Sequence, residues 1–131
     1  PAAWRTPPPV GAKTLSGDVS PWVLVAVWGL NGLQQKFMQD TCIELYGANK
    51  QSKLGKSMMG ISGQSMLMTA TYIGALAQGK TATEAFALSW IVGGALVAVF
   101  AFTEAEGLGA PKTGPLVWAA ISAGIAYLCN K

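Results

Sequence analysis

The chain has 131 residues, which is room for one domain. Hydrophobic residues account for 51% of the chain and charged residues for only 11%, whereas a soluble domain carries about 25% charged residues to keep its surface wetted. The nine Lys and Arg residues are dispersed along the chain, so no dense basic face is available to nucleic acid. This composition argues against an ordinary water-exposed surface and predicts an integral membrane protein.

The N-terminal residues 1–19 contain three consecutive prolines at 7–9 and a glycine, Gly11. Proline fixes φ and cannot donate a backbone hydrogen bond, so we predict an extended strap over 1–19, followed by a helical domain over 20–131. The chain opens on Pro1 without a signal-peptide or transit-peptide pattern. We therefore expect that an organellar presequence has been removed, a truncated sequence being the alternative.

The first predicted membrane span covers residues 20–38. Ser20 and Pro21 form a typical helix start, with serine as N-cap and proline at the first helical position. At about 1.5 Å per residue, the apolar residues that follow reach across most of a hydrocarbon layer of about 30 Å. Residues 39–56 are the most polar part of the chain, and we predict a polar loop with a short interfacial helix and a glycine stop at 46–49.

Three more apolar windows follow. Residues 57–79 carry no charge but many hydroxyl groups, which favours a position inside a bundle. Thr81 and Glu84 match a capping box and introduce the most apolar window, 84–103, before a shorter final one at 115–130. The sequence thus predicts an all-α integral membrane protein with about four transmembrane helices, or three if the second or the last lies at the interface.

Small residues recur at intervals of four and predict close helix packing, either within the bundle or onto a larger complex. The predicted packing residues are Ala70, Gly74, Ala85, Ser89, Gly93, Ala120 and Gly124.

Catalytic chemistry is not indicated by the residues present. The chain has no histidine, which removes the commonest metal ligand and general base and with it bis-histidine haem. Two cysteines far apart in sequence, Cys42 and Cys129, do not make an iron–sulfur site. Charged residues fall at the edges of the predicted spans or outside them, whereas carriers and pumps place ionisable groups inside. We predict a non-enzyme without a metal site or a soluble substrate.

A proline-rich strap, plain apolar helices, a polar loop and the absence of catalytic groups resemble the nucleus-encoded accessory subunits of organellar energy-converting complexes. Within that class the chain is most similar to the small helical subunits of algal photosystem I that lie between the core and its light-harvesting antennae. The resemblance implies a non-catalytic bridging subunit of the chloroplast thylakoid membrane, with core subunits, antenna proteins and lipids as partners.

The same resemblance implies contacts with chlorophyll and carotenoid. Without histidine, a chlorophyll magnesium would need an oxygen ligand. The candidate ligands are Gln34, Gln35, Gln64, Glu84 and Glu104.

Two alternatives share the same overall plan. An accessory subunit of a respiratory complex in the mitochondrial inner membrane has every feature described above. A small quinone-linked or carrier-like protein resembling the DoxX-like membrane proteins would instead enclose a polar cavity at Asn31, Gln34 and Gln64.

Overall fold

A computed structural model describes residues 19–45 and 52–130 of the chain. All regular elements in these two ranges are helices, in agreement with the predicted all-α class. The predicted strap, apart from Val19, and the predicted glycine stop at 46–49 lie outside the described residues. The helices are α1 (Pro21–Phe37), α2 (Gln39–Leu45), α3 (Lys53–Ala77), α4 (Ala82–Thr103) and α5 (Thr113–Cys129), with a 3₁₀ turn at Glu106–Leu108 between the last two.

The prediction of a bundle of about four transmembrane helices is wrong. Among the described helices only α4, with 22 residues, is both long enough and apolar enough to cross a membrane. Helices α1 and α5 have 17 residues each, about 25 Å at about 1.5 Å per residue, which falls short of a layer of about 30 Å. Helix α3 has 25 residues, but its Ser, Thr and Gln side chains dilute its hydropathy. The prediction of a span at 57–79 relied on the absence of charge, which does not by itself give the high hydropathy that a membrane span needs.

Local capping sets the starts of α1 and α4 where the sequence predicts them, whereas α3 begins at Lys53, within the predicted polar loop 39–56. The Ser20 side chain accepts a hydrogen bond from the Trp22 backbone N–H at 3.4 Å, and Pro21 opens α1. At α4 the Glu84 backbone N–H donates to Thr81 Oγ1 at 3.3 Å, while the Thr81 backbone N–H donates to Glu84 Oε2 at 2.8 Å. These reciprocal bonds satisfy N–H groups that the first helical turn leaves without partners, and they confirm the predicted capping box.

Helix α3 ends at a left-handed glycine, as its sequence predicts. Gly79 has φ +81°, a conformation that a side chain with a Cβ disfavours. The Lys80 backbone N–H then donates to the Ala75 carbonyl at 3.0 Å and the Gly79 N–H to the Leu76 carbonyl at 2.9 Å. This pair of bonds is a Schellman motif, and it turns the chain back so that α4 packs antiparallel to α3.

The long helices form an open row instead of a closed bundle. Helix α1 packs on α3, α3 on α4, and α4 on α5, while within the described residues the backbone of α1 does not approach that of α4 or α5. Within the described residues, a row of this kind leaves both of its broad faces and its two edge helices without cover from another helix.

Small side chains lie between the helices and large apolar side chains lie on the outside, which is the reverse of the distribution in a soluble domain. Alanine, glycine and serine fill the seams between helices, and no large side chain among the described residues is fully buried. Large apolar side chains point outward instead, with Trp118 59%, Phe102 66% and Leu128 69% exposed. In water, each such group would forgo about 1.5–3 kcal/mol of burial free energy. The seams therefore permit close backbone approach, and the outer faces carry the large apolar side chains.

Candidate functional site

The closest helix contact is a crossing of α1 and α3 at two glycines. A Cβ on Gly63 would lie 2.7 Å from the Gly32 carbonyl oxygen and 2.8 Å from the Lys36 backbone nitrogen, and a Cβ on Gly32 would lie 2.9 Å from the Gly63 carbonyl oxygen. Because these neighbours are backbone atoms, a methyl group at either position would push the helices apart. The prediction from small residues at intervals of four did not include this pair. The three-residue spacings Gly29 to Gly32 and Gly60 to Gly63 were the available signal.

The other two seams use glycines of α4. A Cβ on Gly93 would lie 2.6 Å from the Met68 sulfur of α3, and a Cβ on Gly94 would lie 2.9 Å from the Ser122 Cβ of α5. Among the remaining predicted packing residues, Ala70, Gly74, Ala85 and Ser89 are buried.

The last two predicted packing residues lie on an open face of α5. Ala120 and Gly124 are exposed, and a Cβ built on Gly124 meets no atom within 4 Å. The small-residue spacing that would admit a neighbouring helix is therefore present on α5 and is not used by the described part of this chain.

A buried ion pair joins three helices at one end of the row. The Lys36 ammonium lies 3.4 Å from Glu104 Oε1, and the side chains are 2% and 28% exposed. Ser57 Oγ donates to Glu104 Oε2 at 3.2 Å, and the Lys36 ammonium lies 5.7 Å from the centroid of the Phe100 ring. Charged residues were predicted to lie at the edges of the spans or outside them, and the burial of Lys36 was not predicted. The ion pair between Lys36 and Glu104 connects the end of α1 to the end of α4.

A cleft of about 290 Å³ adjoins this ion pair. Lys53 and Lys56 from the first turn of α3 line it together with Lys36. Lys56 also pairs with Asp40 of α2, so the cleft has a small excess of positive charge.

The five candidate magnesium ligands do not converge on one place. Glu104 is held by the ion pair just described, and Glu84 serves the α4 capping box. Gln35 Nε2 donates to Asn31 Oδ1 of the same helix at 2.9 Å, and the Gln34 side chain is exposed. Only Gln64 lines an apolar cleft.

The Gln64 cleft has a volume of about 390 Å³ and lies between α3, α4 and the start of α5. Gln64 Nε2 donates to the Gly93 carbonyl at 3.3 Å. Among the described residues the amide oxygen of Gln64 has no hydrogen-bond partner, and it is not sealed from the surface. The cleft is otherwise lined by Ile61, Val97, Phe100, Gly114, Pro115 and Trp118.

Comparisons of the chain with protein-family models, with curated proteins and with solved structures find no match. The functional interpretation therefore rests on the geometry of the described residues alone. The described residues contain no group of three or more His, Cys, Asp or Glu side chains placed to hold a metal ion. What they do contain is three glycine-mediated helix contacts, one buried ion pair and an amide oxygen facing an apolar cleft.

Proposed function

We propose that the chain is a non-catalytic accessory subunit packed among the helices of a larger membrane complex. The observation that carries this proposal is the inverse distribution of side chains, with small residues in the seams and large apolar residues on the outside. Helix association in lipid depends on close packing of small residues, because lipid removes the usual driving force for burying large ones. Helix α4 is the one candidate span among the described helices, and the shorter α1 and α5 pack against partner subunits.

The open face of α5 is the proposed contact with the complex. Ala120 and Gly124 form a shallow groove that no described residue of the chain occupies, and exposed Val117, Ile121 and Leu128 flank it. Exposed contiguous apolar surface of this kind is typical of protein or membrane contacts. An apolar helix from a core or antenna subunit would complete the row by packing on α5.

Within this class we propose a photosynthetic complex, with the chain between the core and the light-harvesting antenna of the thylakoid membrane. The amide oxygen of Gln64 is the candidate chlorophyll ligand, since it is a side-chain acceptor without a hydrogen-bond partner among the described residues and Gln64 lines a largely apolar cleft. The outward apolar side chains suit contact with carotenoid and lipid tails.

Native gel electrophoresis of gently solubilised membranes, followed by absorbance of the band that contains the chain, tests the proposal. We expect migration with a large complex whose band absorbs as chlorophyll. Comigration with a complex that lacks chlorophyll would instead assign the subunit to a respiratory complex, and migration of the chain alone would refute the accessory function.

Gly124→Leu separates docking from folding. Leucine fills the groove on α5, while nothing within 4 Å inside the chain is displaced, so we expect a normally folded chain that no longer comigrates with the complex. Gly107→Leu is the matched control, since it adds the same side chain at another open glycine, in the turn before α5. Equal comigration of both variants would mean that the α5 face is not the contact.

A further inference from the structure

A third cleft lies between α3 and α4, toward the α3–α4 turn. Its volume is about 540 Å³, within the range of about 300–1,000 Å³ found for small-molecule sites. Met68 and Tyr72 line it from α3, and Phe86, Ser89 and Trp90 line it from α4. It is separate from the Gln64 cleft, which lies farther along the same helices and includes α5.

The Ser89 hydroxyl is the unusual group in this cleft. Ser89 is 7% exposed, and among the described residues its hydroxyl has no hydrogen-bond partner. No polar side-chain atom in the described part of the chain is both sealed and unsatisfied, so the hydroxyl opens to the cleft. By contrast, the hydroxyls of Thr69 and Ser122 donate to carbonyls of their own helices at 2.9 and 2.8 Å.

A hydroxyl that lines a largely apolar cleft and has no partner in the protein is available to donate a hydrogen bond to a bound ligand. The Tyr72 phenol, which also lines the cleft, likewise has no hydrogen-bond partner among the described residues. Ser89 and Tyr72 thus line the same cavity with hydroxyls that have no partner among the described residues, and none of the residues that line it is charged. A neutral ligand with acceptor oxygens would match this lining.

The walls of the cleft indicate the shape of that ligand. Phe86 and Trp90 have ring centroids 5.8 Å apart with an interplanar angle of 55°, and Met68 adds a polarizable thioether. Aromatic faces and thioethers both favour contact with flat rings. An aliphatic lipid chain would use neither these rings nor the two hydroxyls.

We propose that this cleft binds a flat, lipid-soluble ring bearing a carbonyl oxygen, the chemistry of a quinone head group. The ring packs against Phe86 and Trp90, and its carbonyl oxygen accepts hydrogen bonds from Ser89 and Tyr72. This inference does not depend on the identity of the complex in the proposed function, since it follows from the cleft alone.

Titration of a decyl-substituted benzoquinone into the purified chain in mild detergent tests the proposal, with quenching of tryptophan fluorescence as the readout. We expect saturable binding. Ser89→Ala and Tyr72→Phe should each raise Kd about fivefold, the effect of losing one neutral hydrogen bond. Ser122→Ala, which removes a hydroxyl already bonded to the Trp118 carbonyl, should leave Kd unchanged.

Decylbenzene, which has the same tail and a flat six-membered ring but no carbonyl, is the control ligand, and its binding is read from displacement of the quenching quinone. Equal binding of decylbenzene, quenching that does not saturate, or unchanged Kd in both Ser89→Ala and Tyr72→Phe would overturn the proposal. Binding of a ring-ketone carotenoid without binding of the quinone would assign the carbonyl to a carotenoid and reject the quinone. Circular dichroism of each variant establishes that the helices are retained.

Discussion

Replacement of Glu104 by glutamine isolates the contribution of the buried ion pair. The variant keeps the shape of the side chain but removes the charge that faces Lys36, whose side chain is 2% exposed. Two unit charges 3.4 Å apart attract with about 5 kcal/mol at an effective dielectric constant of about 20, and with about 1 kcal/mol in water. Glu104 is 28% exposed, so solvent screens the pair in part.

Desolvation of Lys36 offsets part of that attraction, and a buried ion pair contributes less than its Coulomb energy. We therefore expect Glu104→Gln to lower the free energy of unfolding by about 2 kcal/mol, because it leaves an uncompensated ammonium in the seam. Lys36→Met removes that charge with little loss of volume, and it should cost about 1 kcal/mol. The double variant should resemble Lys36→Met alone, giving a coupling energy of about 1–2 kcal/mol.

Denaturation in detergent micelles, followed by tryptophan fluorescence, measures these free energies in a double-mutant cycle. The pair between Lys56 and Asp40 is the control, since its side chains are 37% and 79% exposed, and its coupling should not exceed about 0.5 kcal/mol. Equal coupling in the two cycles, or none for Lys36 and Glu104, would refute the reasoning that burial makes this pair matter.

Three further substitutions test the packing and the helix ends by the same denaturation assay. Gly63→Ala should lower the free energy of unfolding by about 1–3 kcal/mol, because its methyl group meets backbone atoms of α1 at 2.7 and 2.8 Å. The control Gly124→Ala, in open space, should stabilise α5 slightly. Similar effects of the two substitutions would count against the glycine crossing. Gly79→Ala should cost about 1 kcal/mol, since φ is +81° there, and a neutral result would contradict the left-handed helix end. Thr81→Ala should cost about 1 kcal/mol through loss of the capping box, and exposed Thr83→Ala is its control.

The sequence allowed correct prediction of the starts of α1 and α4 and of the end of α3, but not of the start of α3 or the number of membrane spans. Ser20, Thr81 and Gly79 act through hydrogen bonds or φ angles within a few residues, so the local sequence contains all the information that they need. The number of spans was predicted from uncharged windows alone. Lipid also discriminates against hydroxyl and amide groups, and this is the reason that α3 does not qualify.

The candidate sites, too, combine features that the sequence could predict with features that depend on tertiary contacts. Gln64 could be identified from sequence as a polar residue in an apolar window, and the structure places it in a cleft. Gln34 and Gln35 show the same pattern, and nothing in the sequence separates them from Gln64, because the difference is whether a second and a third helix surround the amide.

Helix content, capping and the scarcity of charge were thus determined by the sequence itself, because each depends on neighbours along the chain or on composition. The tertiary structure alone decided that Lys36 meets Glu104, 68 residues away, that Gly32 crosses Gly63, and that the Ser89 hydroxyl opens to a cleft. These contacts depend on which faces of two helices meet. A rotation of α1 by one residue, about 100°, would replace Gly32 in the seam by Leu33 and Lys36 by Phe37.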